Sequence, residues 1–84
     1  MNSSDPVPVK DLQGRVTRGV YGKGTKSERN AVFIETGTKR YLLRRKSGPA
    51  FGDETLERYV GHVVLCSGFL VGTTVLAEAI RESE

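Results

Sequence analysis

Residues 53–80 read DETLERYVGHVVLCSGFLVGTTVLAEAI, and this stretch decides how the rest of the chain is arranged. Asp53 offers a carboxylate to the free N–H groups of a helix start, and Glu54 puts negative charge in the first turn, where the helix dipole favours it. Leu56, Tyr59 and Val60 follow at i, i+3 and i+4, one apolar stripe on a short helix, and Gly61 stands where such a helix ends. HVVLCSGFL and TTVLAEAI then read as two strands joined across Val71-Gly72.

Upstream of the helix the signals are those of strands. Leu12, Gly14, Val16, Arg18 and Val20 alternate with Gln13, Arg15 and Thr17, and the glycines suggest a bend or bulge in this first strand. NAVFIET (30–36) is rich in β-formers, Thr36-Gly37-Thr38 supplies a turn, and KRYLLRR (39–45) completes a hairpin. Between the first two strands lies GKGTKSERN (22–30), a loop with two glycines and four charges, three of them positive. SGPAFGD (47–53) reads as an irregular link to the helix; the alternative is that Phe51 forms an exposed apolar tip for a protein partner. Residues 1–10 read as a flexible lead-in, 11–81 as one domain, and 82–84 as a fraying end.

The order is thus strand, loop, strand, turn, strand, short helix, strand, turn, strand. It resembles the OB-fold, an all-β, five-stranded Greek-key barrel with one helix between strands 3 and 4. DETLERYVG falls in that gap, the glycine-containing first strand is similar to the coiled first strand shared by both sheets, and YVGHVVLCSGFLVGTTVLAEAI resembles the end of many small bacterial OB domains. The likeness covers residues 12 to about 81 and is one of architecture; no motif within it is specific to a function. An SH3-like barrel is the competing all-β reading, and a two-turn helix before the fourth strand suits it less well.

Composition narrows the chemistry. Eighty-four residues make one small domain, with little room for a deep catalytic pocket. A single cysteine, Cys66, excludes an internal disulfide and fits a reducing, cytoplasmic setting; its place in VVLC points to a buried core thiol. No run is apolar enough to span a bilayer and the first residues lack signal-peptide character, so no membrane role is expected. One His and one Cys cannot make a zinc site, the acids lack calcium-loop spacing, and no cofactor motif is present. Gly19 to Gly24 has P-loop glycine spacing, but Thr25 stands where Lys is required and a strand follows where a helix is needed. His62 and Ser67 differ in strand parity and cannot share a catalytic face. No catalytic residue is assigned, and the protein reads as a non-enzyme.

The informative feature is charge. Residues 1–46 hold eleven Lys or Arg against four acids, a net +7, while residues 47–84 hold two against six, a net −4. On the third strand Arg40, Leu42, Arg44 and Lys46 share one face and Tyr41, Leu43 and Arg45 the other. With Tyr41 and Leu43 inward, the basic side chains form an external row at steps of about 7 Å. The second strand leaves its faces open, since either Val32 and Ile34 or Ala31 and Phe33 can point outward. What the resemblance implies is an oligonucleotide site on the strand 2–3 face and the first loop. Lys23, Lys26 and Arg29 on the loop would then flank Arg40, Arg44 and Lys46, with Arg18 and Tyr21 on the first strand, along a phosphodiester track. Tyr41, Tyr59 and Phe69 are expected in the core, leaving Tyr21, Phe33 and Phe51 as candidate base platforms, Tyr21 foremost; its bland reading is a ring closing one barrel end. The expected partner is single-stranded DNA or RNA, or another polyanion. The alternative is a protein-interaction or small-ligand module that self-associates, the −4 part of one copy against the +7 part of the next.

Overall fold

The computed structural model describes residues 5–22, 24–26, 28–48 and 53–83. Five strands, β1 (Val7–Tyr21), β2 (Arg29–Glu35), β3 (Arg40–Arg45), β4 (Val63–Val71) and β5 (Thr74–Glu82), close on themselves in the order β1-β2-β3-β5-β4. One short helix, α1 (Glu54–Glu57), lies between β3 and β4. Every ladder is antiparallel except β3–β5, which is parallel and pairs Leu42–Arg45 with Thr74–Ala77. This is the closed, five-stranded OB-like arrangement that the element order implies.

β1 serves two neighbours. Its first half pairs with β4 from Val7 to Arg15, its second with β2 from Arg15 to Tyr21. The bend that allows this is a bulge at Lys10 and Asp11, not at either glycine: the register shifts between Val9 and Leu12, Asp11 takes φ +52°, and its N–H donates to Ser67 Oγ at 3.0 Å. Gly14 has a different task. A Cβ there would stand 2.7 Å from both Glu35 O and Ile34 Cγ1, so only a bare backbone lets β1 cross so close to β2. The strand begins at Val7, within the stretch read as lead-in, and past the end of β5 the Ser83 N–H donates to Val63 O at 2.8 Å, so Ser83 is tied to the sheet.

Alternation sets the core. Val16, Val32, Ile34, Leu43, Val64, Cys66, Val75 and Ala77 fill the barrel, and Leu56 of α1 covers one end. The open choice on β2 is thereby decided: Val32 and Ile34 face in, Phe33 faces out. Tyr41 and Tyr59 pack against the core as expected, but Phe69 does not belong there. Its parity on β4 is opposite to that of Val64 and Cys66, it pairs with Leu76 and Pro8 on the outer face, and Lys46 Nζ lies 5.5 Å from its ring centre. The helix is shorter than its stripe suggested. Asp53 caps it, accepting from the N–H groups of Thr55 and Leu56, and after one turn the chain tightens into i→i+3 bonds from Tyr59 to Leu56 and Val60 to Glu57. Gly61, at φ +92°, turns out of it and donates to Val16 O at 2.7 Å.

Cys66 is fully buried, and desolvation pushes its thiol up to about 11. A thiol reagent at neutral pH is therefore expected to leave the native protein unmodified and to react with one equivalent on denaturation; fast labelling of the native state would show that the barrel opens at β4.

Candidate functional site

The outer face of β1, β2 and β3 is built on Phe33. It lies opposite Thr17 on β1 and Leu42 on β3, and although it points away from the core it is only 5% exposed. Its cover is Arg40, whose guanidinium carbon stands 4.2 Å from the ring centre. Glu35 faces Arg40 directly across the ladder, yet its carboxylate accepts instead from Thr17 Oγ1 at 3.3 Å. Among the described residues no carboxylate pairs with Arg40 or with Arg44. Arg44 shares the outer face of β3, and its Nε is shielded from solvent without a hydrogen-bond partner.

At the far end of the same face Tyr21 is 40% exposed, with the Arg29 guanidinium 4.8 Å from its ring centre. The loop beyond is folded onto itself: Thr25 donates from N–H and Oγ1 to Gly22 O at 3.0 and 2.6 Å, and the Gly24 N–H donates to Glu28 Oε1 at 3.1 Å. Lys26 stands exposed on this loop. Lys23 and Phe51 lie outside the described residues.

Two of the expected site residues are placed elsewhere by the fold. Arg18 has the parity of Val16, lies opposite Val32, and so points to the helix-covered mouth of the barrel, where it forms an ion pair with Glu57. It does not join the outer row. Lys46 lies just past the end of β3; its N–H extends the seam by donating to Ala77 O at 2.8 Å, and its ammonium holds Glu78 at 2.9 Å. The residues that the structure does bring to one surface are Tyr21, Arg29, Phe33, Arg40 and Arg44, with Lys26 at its edge. Arg40 and Arg44 were legible from strand parity, whereas Arg29, expected on the loop, opens β2. The stacking of Arg40 on Phe33 was not, because it depends on a hairpin register in which Arg40 becomes the diagonal neighbour of Phe33.

A second concavity, of about 310 Å³, lies between α1 and β5 and is lined by Arg45, Thr55, Tyr59 and Ala77–Ile80. Its charged groups are already satisfied. Arg45 donates from Nε and Nη2 to the two Asp53 oxygens at 2.8 and 3.1 Å, and these bonds, with those from the Leu56 and Thr55 N–H groups, hold the Asp53 carboxyl below its ordinary range in spite of burial. Among the described residues no cluster of His, Cys, Asp or Glu suited to a metal ion is present, and no helix is long and apolar enough to cross a membrane.

Fold and site together define a small OB-like barrel carrying guanidinium groups over aromatic rings on the outer face of β1–β3. Comparison with protein-family models, curated proteins and solved structures finds no match to this chain.

Proposed function

We propose that the protein is a non-enzymatic member of the OB-fold superfamily that binds single-stranded nucleic acid, or a comparable polyanion, along the outer face of β1–β3 and the β1–β2 loop, in a cytoplasmic setting. The observation that carries this reading is the state of Arg40 and Arg44. Both sit on one strand face without a carboxylate partner among the described residues, with an exposed Tyr21 at the far end of the same outer face. The exposed Arg40 guanidinium is available for phosphate, Arg44 adds positive charge on the same strand face, and the Tyr21 ring offers a surface for a base. The self-association reading has less support, because four of the six acids between residues 47 and 84 already lie against a basic side chain within the chain. Asp53 is held by Arg45, Glu57 by Arg18 and Glu78 by Lys46, while Glu82 lies 3.8 Å from His62.

Anisotropy of a labelled mixed-sequence single strand tests the proposal. Micromolar binding is expected, weakening by about 2 log units per log unit of salt if three phosphates are neutralised. The Arg40/Arg44/Lys26→Ala variant is expected to lose it. Absence of binding at low salt, or binding indifferent to the substitutions, would remove this face from consideration; a size that grows with protein concentration without added ligand would restore the self-association reading.

A further inference from the structure

Arg40 is held in a way that an ordinary surface cation is not. Beneath it lies Phe33, a ring on the outside of the barrel that is nonetheless buried. Beside it lies Gly19 on β1. A Cβ at that position would stand 3.2 Å from Phe33 Cε1 and 3.4 Å from Arg40 Nη1, so the missing side chain leaves the slot into which the guanidinium reaches across β2. Opposite it, Glu35 is turned to Thr17 and does not draw the charge away. Three strands therefore cooperate to lay one planar cation over a ring on the protein surface, with Arg40 itself exposed.

A guanidinium in this position combines two functions, of which an ammonium shares only the second. Its plane is weakly hydrated and stacks on π systems, and its edge carries donors for phosphate. Phe33 cannot receive a base, because Arg40 already covers it; the outer side of the guanidinium is what a ligand meets. We infer that the Arg40 guanidinium, seated on Phe33 and admitted by Gly19, is the stacking surface of this face, so that its ligand is a single strand with accessible bases and not a bare chain of phosphates. This rests on the proposed binding function and narrows it.

The experiment compares, on the intact chain, a labelled oligothymidylate with an abasic deoxyribose-phosphate strand of the same length and charge. The wild type is expected to bind the base-bearing strand about tenfold or more tightly than the abasic one, the scale of one lost stack. Arg40→Lys keeps the charge on an exposed site and is expected to weaken binding of the base-bearing strand more than binding of the abasic one, so that most of the preference is lost. Its melting curve, matched to the wild type, shows that the fold is intact. Equal binding of the two strands by the wild type overturns the stacking surface while leaving electrostatic binding in place. Binding of neither strand overturns both. A preference that survives Arg40→Lys assigns the stacking to Tyr21 and removes Arg40 from that role, and a loss that falls equally on both strands reduces Arg40 to a phosphate contact.

Discussion

Gly68→Ala is expected to lower the melting temperature by about 12 °C or more, from a cost of about 3 kcal/mol at the upper end for overpacking. A Cβ on Gly68 would lie 2.1 Å from Leu76 O, 2.9 Å from Glu78 N and 3.1 Å from Ala77 Cα. All three are backbone atoms of β5, at the point where the β4–β5 register shifts between Ser67 and Gly68. A side chain can swing aside; a hydrogen-bonded ladder cannot move without disturbing its neighbours. Against a total stability of about 4–12 kcal/mol for a domain of this length, such a loss is a large fraction. Gly37→Ala is the control, since nothing lies within 4 Å of a Cβ there. Thermal melts of the two variants side by side decide the matter: a drop in Gly68→Ala no larger than in the control would mean that β5 yields at its bulge.

The second large effect belongs to Asp53. Its buried carboxylate caps α1 and accepts two hydrogen bonds from Arg45, joining the end of β3 to the helix that covers the barrel. Asp53→Ala removes both functions and is expected to cost about 2 kcal/mol, the upper part of the N-cap range. Asp53→Asn keeps an oxygen for the cap but not the charge for Arg45, so stability at neutral pH should rank wild type above Asn above Ala. The carboxyl is held below its ordinary value in the folded state, chiefly by the Arg45 hydrogen bond. Its stabilising contribution is therefore complete above the unfolded value of about pH 4 and is lost as the pH falls through the lower folded value. The gap between wild type and Asp53→Asn should then be constant from neutrality to about pH 5 and close in acid. Melts of both proteins across that range test it, and a gap that persists undiminished at the acid end would show that the charge is not its source.

How much of this was legible in the sequence differs from element to element. The alternation from Leu12 to Val20 gave the parity of β1 outright: Gly14 and Val16 are buried, while Arg18 and Val20 continue that row out of the core, Val20 being 43% exposed. That same row already placed Arg18 with Val16 and Val20, which is why it points to the barrel mouth and not to the outer face; the signal was there and the positive charge masked it. Asp53 was recognisable as a cap because the helix stripe begins three residues later. The face of β2 was not legible, since Ala31, Val32, Phe33 and Ile34 are all apolar and carry no alternation. β4 hid the outward position of Phe69 for the same reason. The partnership of Gly19, Phe33 and Arg40 joins three strands through a register that no local pattern specifies, and the bulge at Lys10–Asp11 has no glycine to announce it.

The parallel seam between β3 and β5 also bears on how the chain comes into being. The strand that closes the barrel is the last to be synthesised, and β1, the first, finds one of its two neighbours only when β4 arrives: Asp11 and Ser67, joined across that ladder, are 56 residues apart. Contacts of this separation belong to the slower class of folding reactions, milliseconds and longer. From the end of β3 at Arg45 to the end of β5 at Glu82, a ribosome adding about 5–20 residues per second needs on the order of 2–7 s. For that interval Val16, Ile34 and Leu43 line a three-stranded meander that has nothing to close against. Chaperone capture and misassembly compete with folding during this window, whose length is set by the delivery of the C-terminal hairpin.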